Sequence, residues 1–134
     1  MKQYLFLFLI LGLSLSVSGQ KSKVLAAKQM IDGGKYDEAK EAIELAIAND
    51  RTSNWHRTYF TKGLLCQAAY EAGVDKDDAK MTNLYPDQLF EAYDSYEEAL
   101  ELDVRERMHS QIRHQYYLLV NDFRSMGEKL FLKK

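Results

Sequence analysis

Two residue types and one pattern that often organise a small domain are almost missing. Cysteine occurs once, at Cys66, so no internal disulfide can form and stability has to come from packing. Proline occurs once, at Pro86, which leaves long stretches free to continue a helix. Alternating β-branched and aromatic residues are absent, and with them the pattern of a half-buried strand. The chain also lacks any excess of basic charge: 18 Lys and Arg face 20 Asp and Glu, for a net charge of −2. Such a balance argues against nucleic acid, whose phosphates demand a basic surface.

What is present begins with an address. Met1-Lys2-Gln3 brings one positive charge, Tyr4 to Leu13 is almost continuously apolar, and small residues follow at Val17 and Gly19. That order is the one expected of a secretory signal cut after Gly19. Its apolar core is about half of the roughly 20 residues needed to span a bilayer, so no stable membrane insertion is expected after cleavage. With no cysteine near the cut, a lipid anchor there is excluded. Removing residues 1–19 leaves 17 basic and 20 acidic residues, and the 115 residues of 20–134 make one domain.

Periodicity over that domain predicts an all-α fold, with helices near 22–32, 36–49, 55–72, 87–103 and 105–133. On 36–49, Tyr36, Ala39, Ile43, Ala46 and Ile47 fall three and four apart and form one stripe. Asp37 and Glu38 stand in its first turn, where they complement the positive helix end. Gly33-Gly34 closes the helix before it, because glycine takes the left-handed cap without steric cost. The short turn makes 22–49 an antiparallel hairpin. A second hairpin, 55–103, carries Trp55, Tyr59, Gly63, Cys66 and Tyr70 on one stripe and Leu89, Ala92, Tyr96, Ala99 and Leu100 on the other. Between them, Gly73 to Pro86 is rich in Asp and Asn and reads as an exposed loop, ending in an extended Tyr85 and a cap after Pro86.

The small residues of these stripes carry a resemblance. Ala27, then Gly34-x-Tyr36-Asp37-x-Ala39, then Ala46, resembles the tetratricopeptide repeat, a 34-residue helix–turn–helix unit. Tyr59 and Gly63 match the first-helix signature of a second unit, and Ala92, Tyr96 and Ala99 its second-helix signature. Phe123-x-x-Met126-Gly127-x-x-Leu130 resembles the start of a third. The spacings depart from the family: Ala46 to Gly63 is 17 residues against about 15, Gly63 to Ala92 is 29 against about 12, and Ala99 to Gly127 is 28 against about 15. Lys23 stands where an aromatic is usual. The resemblance implies a short right-handed α-solenoid that binds a protein or peptide in its concave groove, placed in the periplasm or elsewhere in the cell envelope.

On that implication the groove is lined by Arg57, Phe60, Leu64 and Gln67, with Lys28 and Ile31 before them and Asn121, Arg124 and Glu128 after. Arg57 and Phe60 are its expected anchors, since Arg and aromatic side chains carry disproportionate binding energy. The family's clamp for a peptide carboxylate would fall at Val24 and Lys28, which lack its basic and asparagine-rich chemistry. The third unit has only one helix before Lys134, ending in Leu130-Phe131-Leu132. It either caps the stack or belongs to a shortened array whose bare apolar end favours self-association.

Candidates for chemistry are few. His109 and His114 lie five apart, about 140° round a helix, and cannot share a metal. Glu106 with His109 has the right spacing but lacks a second such pair. His56 suits packing or capping. Asp75-Lys76-Asp77-Asp78 lacks the glycine and closing glutamate of a calcium loop. Cys66 lies on an inward stripe as a small core residue. Neither a phosphate-cradling glycine loop nor a nucleophile-elbow serine occurs, and no catalytic residue, metal or cofactor is expected. Residues 85–103 carry seven acidic and no basic residues, and 104–134 seven basic and three acidic. Two readings of this fit: neighbouring helices that complement each other, or a polar groove for a charged ligand.

Overall fold

A computed structural model describes residues 19–133, so the expected export signal, apart from Gly19, lies outside the described residues. Within them the chain is all-helical, without a strand. In chain order come α1 (19–32), α2 (Tyr36–Ile47), α3 (His56–Lys76), the single turn α4 (Ala79–Thr82), α5 (Gln88–Leu102) and α6 (His109–Leu132).

The turn between α1 and α2 is built as its glycines require. Gly34 sits at φ +73°, and the Gly33, Gly34 and Lys35 amides donate back to the carbonyls of Gln29, Ile31 and Met30. Ala39, Ile43 and Ala46 of the α2 stripe are buried, and Tyr36 and Ile47 pack at the core's edge. Two threonines fasten the next connection. Thr52 Oγ1 donates to the Ala46 carbonyl at 2.7 Å, and Thr58 Oγ1 to the Thr52 carbonyl at 2.8 Å.

The core centres on α3 and α5. Leu65, Cys66 and Ala69 of α3 meet Leu89, Ala92, Tyr96 and Ala99 of α5 in one apolar cluster. Lys62 pairs with Glu91, and the Gln88 side chain donates to the Cys66 carbonyl at 2.9 Å, so the two helices run antiparallel. The Tyr96 ring lies directly over Gly63, where a Cβ would overlap it. Phe90 on Phe123 and Tyr93 on Tyr116 set α6 antiparallel to α5 as well. Lys21 lies 5.2 Å from the Trp55 ring, Lys28 and Ile31 reach the middle of α3, and Gln67 reaches Asp122. Consequently α1, α3 and α6 run parallel.

Residues 73–86 are not the exposed loop expected. The first of them continue α3 to Lys76, Asp77 turns the chain at φ 52°, and Asp78 caps α4 by accepting from the Lys80 and Met81 amides. Gly73 admits Thr82 against the α3 backbone. Leu84 and Tyr85 are then buried: Lys40 Nζ donates to the Leu84 carbonyl at 2.7 Å and the Tyr85 hydroxyl to Glu44 at 2.7 Å. Lys40 and Lys62 also stand 4.5 and 5.1 Å from the Tyr85 ring. The acidic residues that suggested solvent serve as turn and cap, and the two apolar residues beyond them make the anchor. Asp87 differs too: it sits at φ 47° and its side chain caps nothing.

The third-unit motif is displaced. Asp122 stands beside Gln67, which puts Leu118 and Leu119 rather than Gly127 near the height of Gly63. Ile112 and Leu119 are the buried anchors of α6, and Gly127 has an open face. The last two turns of α6 outrun α5, leaving Leu130, Phe131 and Leu132 at 59, 80 and 82% exposure.

Gly63→Ala should lower stability by about 1–3 kcal/mol, because the added methyl meets a buried ring with no room to retreat. Chemical denaturation of the two forms measures it. Gly127→Ala, on an open helical face, should leave stability equal or slightly higher.

Candidate functional site

Three parallel helices leave a groove between them. Lys28, Ile31 and Asp32 of α1, Phe60, Leu64 and Ala68 of α3, and Ser110, Gln111, His114 and Gln115 of α6 line a volume of about 510 Å³. Parallel packing explains it. α3 turns its small residues Gly63, Cys66 and Ala69 toward α5, which leaves Phe60, Leu64 and Ala68 on the face that borders the groove. The floor is apolar, from Ile31, Phe60, Leu64 and Ala68. One rim carries the Lys28–Asp32 ion pair at 2.8 Å, and the other carries hydroxyl, amide and imidazole groups. Uncharged donors and acceptors over an apolar floor suit a polypeptide, whose backbone amides need partners and whose side chains need burial.

The expected groove residues divide. Lys28, Ile31, Phe60 and Leu64 line this volume. Arg57 is exposed one turn before Phe60 and lies outside the lining. Arg124 is exposed and paired with Glu128 at 3.0 Å, and neither it nor Asn121 reaches the groove. Gln67 is corrected outright: it is 3% exposed and works as an interior link. The Tyr96 hydroxyl donates to Gln67 Oε1 at 2.8 Å, and Gln67 Nε2 donates to Asp122 at 2.9 Å and, at 3.4 Å, to Glu71. One amide therefore joins α3, α5 and α6.

Sequence reasoning missed Ser110, Gln111, His114 and Gln115. Placing the third helix by Phe123 and Gly127 shifted its groove face two to three turns toward the C-terminus. α6 begins at His109 beside the start of α3 at His56, both against Asp103, so its groove residues fall in its first two turns.

The polar link has a protonation signature. Burial, then the neighbouring Asp122 carboxyl that shares its proton, raises Glu71 to about 7. Burial raises Asp122 as well, against hydrogen bonds from Gln67 and Glu71 that favour its charge. At the opposite end, Asp103 is 2% exposed and accepts the Met108 amide at 2.6 Å, with His56 and His109 Nε2 each 4.0 Å from its carboxylate. Burial would raise this acid, yet the Met108 and Arg107 amides and the two imidazoles bring it below its usual value. His56 is lowered, chiefly by burial. Both histidines sit beside the α5–α6 connection, and His109 Nε2 is buried without a hydrogen-bond partner. Burial pushes the Cys66 thiol up to about 12. Among the described residues no group of three or more His, Cys, Asp or Glu is arranged to hold a metal ion, and no helix is long and apolar enough to cross a membrane.

No protein-family model, curated protein or solved structure matches this chain.

Between pH 4.5 and 7 the folded chain keeps a proton on Glu71 that the unfolded chain releases, so this group's contribution to stability falls as pH rises. His56 acts in the opposite sense: lowered when folded, it favours the fold above its unfolded value of 6.5 and costs stability as pH falls. The difference between wild type and Glu71→Gln isolates the carboxyl. Melting temperatures across pH 4.5–8 should show the variant gaining on wild type as pH rises.

Proposed function

We propose that this chain is an exported, non-enzymatic adaptor of the tetratricopeptide type that holds a protein or peptide segment in the groove between α1, α3 and α6. The observation that carries the reading is the groove's composition: an apolar floor of Ile31, Phe60, Leu64 and Ala68 beneath amide and hydroxyl groups. The arrangement around it supports the resemblance. Lys21 of α1 meets Trp55 of α3, a step of 34 residues between parallel helices, which is the length of one such repeat. Successive helix pairs, α1–α2 and α3–α5, then stack with their first helices on one side, as a short α-solenoid requires, and α6 supplies a third first helix. The 73–86 segment is an insertion in the second pair that folds back onto α2 and α3, so it leaves the groove open.

The recognised segment is mainly apolar. The only charges in the lining are Lys28 and Asp32, already paired, which offers little to a strongly charged ligand. A turn of helix or an extended stretch carrying two or three apolar side chains fits the floor, with Gln111 and Gln115 meeting its backbone. Export and an envelope location rest on the amino-terminal pattern of one Lys, an apolar run and small residues before Gln20.

Affinity capture from envelope extract tests this, with wild type, Leu64→Glu and Arg57→Ala as baits. Leu64 is partly exposed on the groove floor, so the charge leaves the core intact while opposing an apolar ligand. Wild type and Arg57→Ala should retain the same partner, and Leu64→Glu should lose it at least tenfold. An identical set on all three baits would refute the groove assignment.

A further inference from the structure

We infer that the face formed by α5 and α6, remote from the peptide groove, is the seat of a second copy of this chain, related by a twofold axis running along the two helices. Phe90 and Tyr93 of α5 and Tyr116, Leu119, Val120 and Phe123 of α6 line an apolar depression of about 360 Å³. Around it Phe90, Tyr117 and Val120 are 58, 73 and 64% exposed. Clustered apolar surface of this kind on a chain so rich in charge marks an interface.

Charge decides what covers it. On α5, Phe90, Asp94, Glu97 and Glu101 recur at four, three and four and form the outer edge of the depression. On α6, Arg113, Tyr117, Val120 and Arg124 recur at four, three and four and form the other edge. Arg124 is held by Glu128 of its own helix and Glu97 accepts from the Tyr116 hydroxyl, but the two charged edges do not pair with each other within the chain. Among the described residues, the one ion pair joining 85–103 to 104–134 is Asp103 with His109, and Glu91 is spent on Lys62 of α3. A partner of one sign would satisfy one edge and be repelled by the other. A second copy turned about an axis along the two helices satisfies both, since it lays each α6 over the other copy's α5, the self-complementary pairing of a closed dimer.

The register agrees. Phe90 meets Phe123 and Tyr93 meets Tyr116, which sets Arg113 at the height of Glu97 and Glu101, and Arg124 at that of Asp87. In the same arrangement the two copies of α6 point the same way. Their overhanging ends, with Leu130, Phe131 and Leu132, then lie side by side and bury one another.

Sedimentation equilibrium of the protein as isolated from expressing cells tests the inference. A monomer–dimer equilibrium is expected, weakening as salt rises. Val120→Glu and Arg113→Glu, both on exposed positions, should keep wild-type helicity by circular dichroism. Val120→Glu should raise the dissociation constant at least about 100-fold. Adding Glu101→Arg to Arg113→Glu should restore association. Phe131→Cys, oxidised, should give a disulfide-linked pair that Val120→Glu abolishes. A strictly monomeric wild type, or association unmoved by Val120→Glu, would overturn the interface. A dimer whose Phe131→Cys form does not cross-link would overturn the axis along the helices, because the perpendicular axis sends the two ends apart.

Discussion

Everything else in this molecule depends on Tyr96 lying in the notch of Gly63. Without a β-carbon at 63, α5 comes close enough for its tyrosine ring to lie against the α3 backbone, fully buried. Close approach alone would leave a buried hydroxyl without a partner, at a cost of roughly 1–3 kcal/mol. Gln67 removes that cost and passes the connection on to Asp122 of α6. The ring edges onto Phe60 and Tyr116 complete the hub. One contact thus sets the spacing of α3 and α5, the height of α6 and the width of the groove that Phe60 floors.

Polar anchors do the remaining positioning at places where apolar packing is thin. Thr52 and Thr58 tie the α2–α3 connection to α2 and to α3, Asp103 ties the α5–α6 connection, and Gln88 fastens the 73–86 segment by bonds to Cys66, Met81 and Tyr85. All four are buried, and each ties its segment to the packed helices through a backbone group.

The helices were legible in the sequence because small and aromatic residues repeat at helical spacing: Ala39, Ile43 and Ala46, then Ala92, Tyr96 and Ala99, lie buried where the stripes placed them. The Gly33-Gly34 turn was legible because glycine takes the left-handed cap at a helix end without steric cost, and Gly34 does so. The 73–86 segment was not, because Asp and Asn at turns and caps look the same as Asp and Asn in water, and only the fold shows Leu84 and Tyr85 reaching α2. The groove was half legible. Phe60 and Leu64 follow from the face opposite the α3 stripe, but Gln67 was read as facing out when the tyrosine it serves lies 29 residues away. On α6 a glycine motif misled, because Gly127 lies beyond the end of α5 and faces no close neighbour.

The chain's single thiol has a history that depends on time. In the folded state Cys66 lies under α5 with its thiol held protonated, out of reach of oxidants and of other thiols. Before α5 docks it is an ordinary reactive cysteine. Covalently joined pairs through Cys66 can therefore arise only during the interval between synthesis and docking. Their abundance in a preparation would serve as a clock for how long newly made chains wait before α3 and α5 close together.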